Sequence, residues 1–125
     1  MNDKPHAILH PTLERWANTL DIIPFSWNGL PLNVPVYAVY ATLPNPVIDH
    51  FAHHGDSLVP ILRLGKYKVP LLDPTKEGIT TAPNYAVVIT HQEKSRFGLY
   101  AYPADHIEET FSVAYQDWIG NLQLS

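Results

Sequence analysis

Apolar positions in this chain come in short runs, most of them closed by proline, glycine, asparagine or a polar turn. Ile22 to Trp27 is apolar with two aromatics, and Asn28-Gly29 follows as a tight-turn dipeptide. Leu32 to Thr42 is rich in valine and tyrosine and reads as the next strand. Ser57 to Leu64 and Tyr67 to Leu72 are apolar segments separated by Gly65-Lys66, the pattern of a hairpin. Tyr85 to Thr90 is continuously apolar, as in a strand buried on both faces. His91 to Arg96 is polar and predicts a turn, and Phe97 to Tyr102 pairs back. Helical spacing is rarer. Leu13, Trp16, Ala17 and Leu20 recur at i, i+3, i+4, i+7, predicting a short N-terminal helix over 12–20 with Thr12 as its cap. Val47, Ile48 and Phe51 predict a short helix over 47–54. From Asp105 to Leu122 a capping-box pattern at Asp105 and Glu108 competes with a strand reading. The expectation there is strand first and a helical or irregular tail. Leu72 to Pro83 is the one long turn-rich loop.

Proline strengthens the β reading. Twelve of 125 residues are proline, about twice the usual share, and they cut the chain between Pro24 and Pro83 into pieces too short for long helices. Five or six strands joined by short loops predict an all-β barrel or sandwich. The length predicts a single domain over 1–125.

Charge and cysteine content remove several function classes. Eight basic against 12 acidic residues give a net charge of −4, which disfavours a nucleic-acid partner. No cysteine is present, so disulfide frameworks, thiol nucleophiles and cysteine-based zinc sites are excluded. Apolar runs stay short of the roughly 20 residues that span a bilayer, and the N-terminus lacks a signal-peptide layout. The expectation is a cytoplasmic protein without membrane insertion. Charged residues make up only 16 %, against roughly 25 % in ordinary domains, a composition that suits contact with another protein.

The strongest chemical cluster is Asp49-His50-Phe51-Ala52-His53-His54-Gly55-Asp56. On a helix, His50 and either His53 or His54 share a face, a spacing that lets two imidazoles hold one metal ion, with Asp56 nearby. No glutamate follows the first histidine, and no second cluster supplies a third ligand. A metal-dependent enzyme is therefore the rival reading, against a solvated polar loop. Serines occur without an activating elbow, Glu108-Glu109 falls on opposite faces of a strand, and six scattered glycines form no phosphate loop. No cofactor is expected. Seven tyrosines and three tryptophans are more informative. Trp27, Tyr37, Tyr40, Tyr100 and Tyr102 cannot all point inward in so small a domain. They line an interface, fill a barrel and its rim, or line the pocket of a small-ligand β-barrel.

Leu64-Gly65-Lys66-Tyr67-Lys68-Val69-Pro70-Leu71-Leu72-Asp73 resembles the signature of the CheW-like adaptor domain: a strand, an Arg-Gly turn, then apolar-Pro-apolar-apolar-Asp. Phe25-Ser26-Trp27-Asn28-Gly29 through Val34-Pro35-Val36 and Val39 is similar to the family's first hairpin and its proline-containing strand. Tyr85 to Thr90, a polar turn and Gly98-Leu99-Tyr100-Ala101 are similar to its later strands. The likeness covers roughly residues 20 to 110. It implies two small SH3-like barrels packed side by side. It also implies a non-catalytic scaffold coupling a chemoreceptor to the regulatory domain of a histidine kinase in bacterial chemotaxis, or serving the related type IV pilus twitching pathway. The contact residues expected on this reading are Val39, Ala41, Leu64, Gly65, Lys66, Gly98, Leu99 and Tyr100. The chain departs from the family at informative places. Leu64 stands where the family has the turn arginine, with Arg63 one place earlier, and Ala41 stands near the glutamate that pairs with it. Both charges are missing together, which leaves neither unpaired. Tyr102-Pro103 replaces a Val-Asp pair, and the C-terminal part is short. These departures imply a divergent adaptor with altered partner choice, on the pilus-linked branch by preference.

Overall fold

A computed structural model describes residues 19–79, 81–93 and 96–115. The fold is all-β. Ten strands run β1 (Thr19–Trp27), β2 (Leu30–Pro35), β3 (Val39–Pro44), β4 (Ile48–His54), β5 (Ser57–Leu64), β6 (Tyr67–Pro70), β7 (Tyr85–Glu93), β8 (Arg96–Ala104), β9 (His106–Ile107) and β10 (Phe111–Ala114) among the described residues. They form three antiparallel sheets: β10-β1-β2 with β9 also on β1, β3-β7-β8, and β4-β5-β6. The sheets do not close into one barrel. Leu71 joins the second and third by a parallel bridge to Ala101, and the Leu72 N–H donates to the Ala101 carbonyl at 2.8 Å.

Turn chemistry sets the hairpins. Asn28 and Gly29 both have positive φ, 51° and 81°, the signature of a type I′ turn whose twist suits the flanking strands. Trp27 pairs with Leu30 across it. At the β5–β6 turn only Gly65 is left-handed, at 60°, as in a type II′ turn, and Leu64 pairs with Tyr67.

The β3-β7-β8 sheet carries a separate core on each face. Alternation along β7 and β8 directs Ala86, Val88, Leu99 and Ala101 to one side, where they pack with Leu62, Val69 and Leu71 of the third sheet and with Trp27. Val87, Ile89 and Ala104 face the other side with Phe25, flanked by Leu32, Val34 and Ile107. The unbroken apolar run at 85–90 is thus buried on both faces by two different neighbours.

Two bulges retune this alternation. Val39 pairs with Ile89 and Ala41 with Val88, so Tyr40 is the extra residue. The bulge lets Val39 pack on one core and Ala41 on the other, although they are two apart. In β4, Ile48 pairs with Leu62 and His50 with Ile61, leaving Asp49 extra.

Three sequence expectations change. Residues 48–54 are a strand and not a helix. The bulge at Asp49 brings Ile48 and Phe51 onto one face, opposite Leu62 and Pro60, so a β-strand here mimics helical i, i+3 spacing. The single strand expected over 32–42 is interrupted after Pro35 by one 3-10 turn, Val36–Ala38. The turn expected from His91 is narrower, since β7 runs on to Glu93 and β8 begins at Arg96. From Asp105 the strand-first expectation agrees with β9 and β10; the Asp105 carboxylate accepts from the Asn28 N–H at 2.9 Å and its own N–H donates to the Ser26 carbonyl at 2.7 Å, in place of a helix cap. The N-terminal helix expected over 12–20 lies outside the described residues except for Thr19 and Leu20, which are strand. The tail beyond Tyr115 also lies outside them. No helix among the described residues is long and apolar enough to cross a membrane.

Candidate partner-binding surface

The β5–β6 hairpin and the β3 edge meet. Leu64 from the hairpin and Ala41 from β3 both pack on the first core. At the rim, the Tyr40 ring approaches Tyr67 edge-on, with centroids 6.4 Å apart and planes at 73°. The bulge makes this contact, turning Tyr40 toward the hairpin while leaving it 49 % exposed. The Lys66 ammonium sits 5.6 Å from the Tyr67 ring centroid, within cation–π range. Gly65 and Lys66 are exposed at the tip. Two segments well apart in the chain, at Tyr40-Ala41 and Leu64 to Tyr67, thus build one surface with an aromatic floor and a cationic rim.

The other expected contact residues take different places. Leu99 is only 8 % exposed and belongs to the first core. Val39 is half-buried against the second. Gly98 is half-buried on β8, opposite His91. Tyr100 packs edge-on against Tyr102, centroids 5.5 Å apart, on the second-core face. Burial, and then the neighbouring Tyr102, push its phenol above the ordinary range. Leu99 therefore lies beneath the hairpin side of the sheet, while Val39 and Tyr100 face the second core on the opposite side.

The histidine cluster is dispersed by the strand. His50 opposes Ile61 and His53 opposes Leu58, which puts the two imidazoles on opposite faces. Asp49 accepts from His50 Nδ1 at 2.7 Å and lies 3.5 Å from Arg63 Nη2. The His50 hydrogen bond, and then Arg63, hold the Asp49 carboxyl below its usual range. Among the described residues no three His, Asp or Glu side chains converge as ligands would. Grooves of about 660 Å³ beside Leu58 and Ile79, and about 630 Å³ beside Leu20 and Tyr37, open to the surface.

One residue of the signature has a structural role that its position alone did not reveal. Asp73 Oδ1 accepts from Trp27 Nε1 at 3.0 Å and from the Thr75 N–H and hydroxyl at 2.9 and 2.6 Å. Its Oδ2 accepts from the N–H groups of Glu77 and Gly78 at 3.1 and 2.7 Å. Partial burial raises its pKa, but the hydrogen bonds from Thr75, Gly78 and Trp27 outweigh that and keep it below the usual carboxylate range. The Asp-x-Thr turn was legible as local chemistry. The link to Trp27, 46 residues away, was not.

No protein-family model matches the chain, and no curated protein matches it.

Proposed function

We propose that the chain is a non-catalytic adaptor of a bacterial chemosensory pathway, similar to CheW-like domains. In this reading it links a chemoreceptor to a histidine kinase, or serves the related pilus-motility pathway, from the cytoplasm and without a cofactor. The observation that carries it is the β5–β6 hairpin, folded at Gly65 and running through Val69-Pro70-Leu71-Leu72 into Asp73, which has the layout the resemblance requires. The two cores on either face of β3-β7-β8 support the same reading. Each would be the interior of one small SH3-like barrel, with the central sheet shared between them, in a single domain over 1–125. Binding would rest on a few anchors, with Tyr40 the foremost because it is large, half-exposed and held in place by Tyr67.

The test is affinity capture from the native cell with mass-spectrometric identification of what is retained. Wild type is expected to retain a histidine kinase or a chemoreceptor. Tyr40→Ala is expected to reduce that recovery by about tenfold or more, and Phe111→Ala, on the exposed face of β10, to leave it unchanged. Undiminished recovery by a folded Tyr40→Ala protein would remove this surface from the interface.

A further inference from the structure

We propose that the β5–β6 hairpin docks an acidic segment of a protein partner through Arg63, Lys66 and Lys68. This goes beyond the reading above: it uses the same hairpin but the face opposite Leu64 and Tyr67.

The chain carries a net charge of −4, yet three cations fall within six residues of one hairpin. The strand register sets Arg63 directly opposite Lys68. Directly opposed residues on an antiparallel pair share a face with Cβ atoms about 5 Å apart, and like charges there oppose folding. Both side chains are exposed. Among the described residues the Arg63 guanidinium pairs with Asp49 alone, at 3.5 Å, and no acid pairs with Lys66 or Lys68. Asp56 lies at the β4–β5 turn and Asp73 and Glu77 in the loop after β6, at the end of the hairpin away from Lys66, while Asp21, Asp105, Glu108 and Glu109 belong to β1 or the 105–109 segment beside it. The hairpin is therefore a positive region on an acidic molecule, with two cations juxtaposed at a cost to the fold.

A carboxylate placed between Arg63 and Lys68 turns that repulsion into two attractions and can accept hydrogen bonds from both. Alternation puts this pair on the hairpin face opposite Leu64 and Tyr67, so Lys66 at the exposed tip continues the site and the Tyr40–Tyr67 rim does not. The occupant that matches is a protein segment with two or three carboxylates. Nucleic acid binding rests on many cations tracking an extended phosphate backbone, whereas three cations on one hairpin match two or three carboxylates.

The probe is fluorescein-labelled deca-glutamate, with deca-glutamine and a ten-residue oligothymidylate as separate arms, followed by fluorescence anisotropy. Deca-glutamate is expected to bind the wild type, weakening as salt rises, and to lose about tenfold or more in affinity with Lys68→Glu. The same substitution is expected to raise Tm by about 2 to 5 °C, because Arg63 then faces an acid. Deca-glutamate affinity unchanged by Lys68→Glu, a fall in Tm, or binding of oligothymidylate in preference to deca-glutamate would each overturn the proposal. Should deca-glutamate fail to bind while Tyr40→Ala still abolishes capture of the kinase or receptor, the acidic partner is wrong and the adaptor reading stands. Should Lys68→Glu weaken deca-glutamate while capture ignores Tyr40, the acidic dock stands and the adaptor surface is wrong.

Discussion

Val87→Ala and Val88→Ala are each expected to cost about 2 kcal/mol of stability, and the double variant about 4 kcal/mol. Both side chains are fully buried, and they are chain neighbours. Ordinarily, adjacent buried residues share a cavity and their losses do not add. Here Val87 belongs to the core with Phe25, Ile89 and Ala104, and Val88 to the core with Leu62, Val69, Leu71 and Ala101. No buried partner is common to the two. The coupling in a double-mutant cycle is therefore expected within about 0.5 kcal/mol of zero. Denaturant titration of the four proteins measures it. A coupling beyond about 1 kcal/mol would mean that the β3-β7-β8 sheet does not separate two interiors.

Asp73→Ala is expected to cost about 3 kcal/mol. It removes the acceptor of five hydrogen bonds, one from the indole N–H of the buried Trp27. The stranded indole donor is the expensive one, since exposed backbone N–H groups of the loop can turn to water. Asp73→Asn keeps one acceptor oxygen and is expected to cost about half as much. The carboxylate also makes stability depend on pH. Its folded pKa is held below the unfolded value, so its contribution is complete above about pH 4 and is lost as pH falls through the lower, folded value. In Asp73→Asn that part of the acid limb is expected to flatten. An unchanged acid limb would show that the hydrogen bonds do not favour the charged form.

Local chemistry was legible in the sequence wherever turn residues bounded a strand. Asn28-Gly29 and Gly65-Lys66 each imply the hairpin observed, because their backbone conformations serve few other purposes. Long-range geometry was not legible. A bulge inserts one residue without any compositional mark, so Asp49 made a strand resemble a helix and carried the histidine cluster with it. Likewise, nothing in Leu32 to Thr42 distinguished one long strand from two joined by a 3-10 turn. The candidate surface was read in part. Leu64, Gly65 and Lys66 stand at the hairpin tip as expected. Tyr40 emerged as its exposed anchor only once the bulge beside Ala41 was known, because strict alternation gives no reason for it to face Tyr67. Leu99 and Tyr100 carry strand signals that do not distinguish a core position from a surface one.

The most direct test of the adaptor surface is hydrogen–deuterium exchange on the captured complex, compared with the free protein. The account predicts added protection at residues 39–41 and 64–68, where the β3 edge and the hairpin tip lie under the partner, and unchanged exchange at 111–114. Protection confined to β10, or to the β4–β5 turn at Gly55, with 39–41 and 64–68 exchanging as in the free protein, would contradict it.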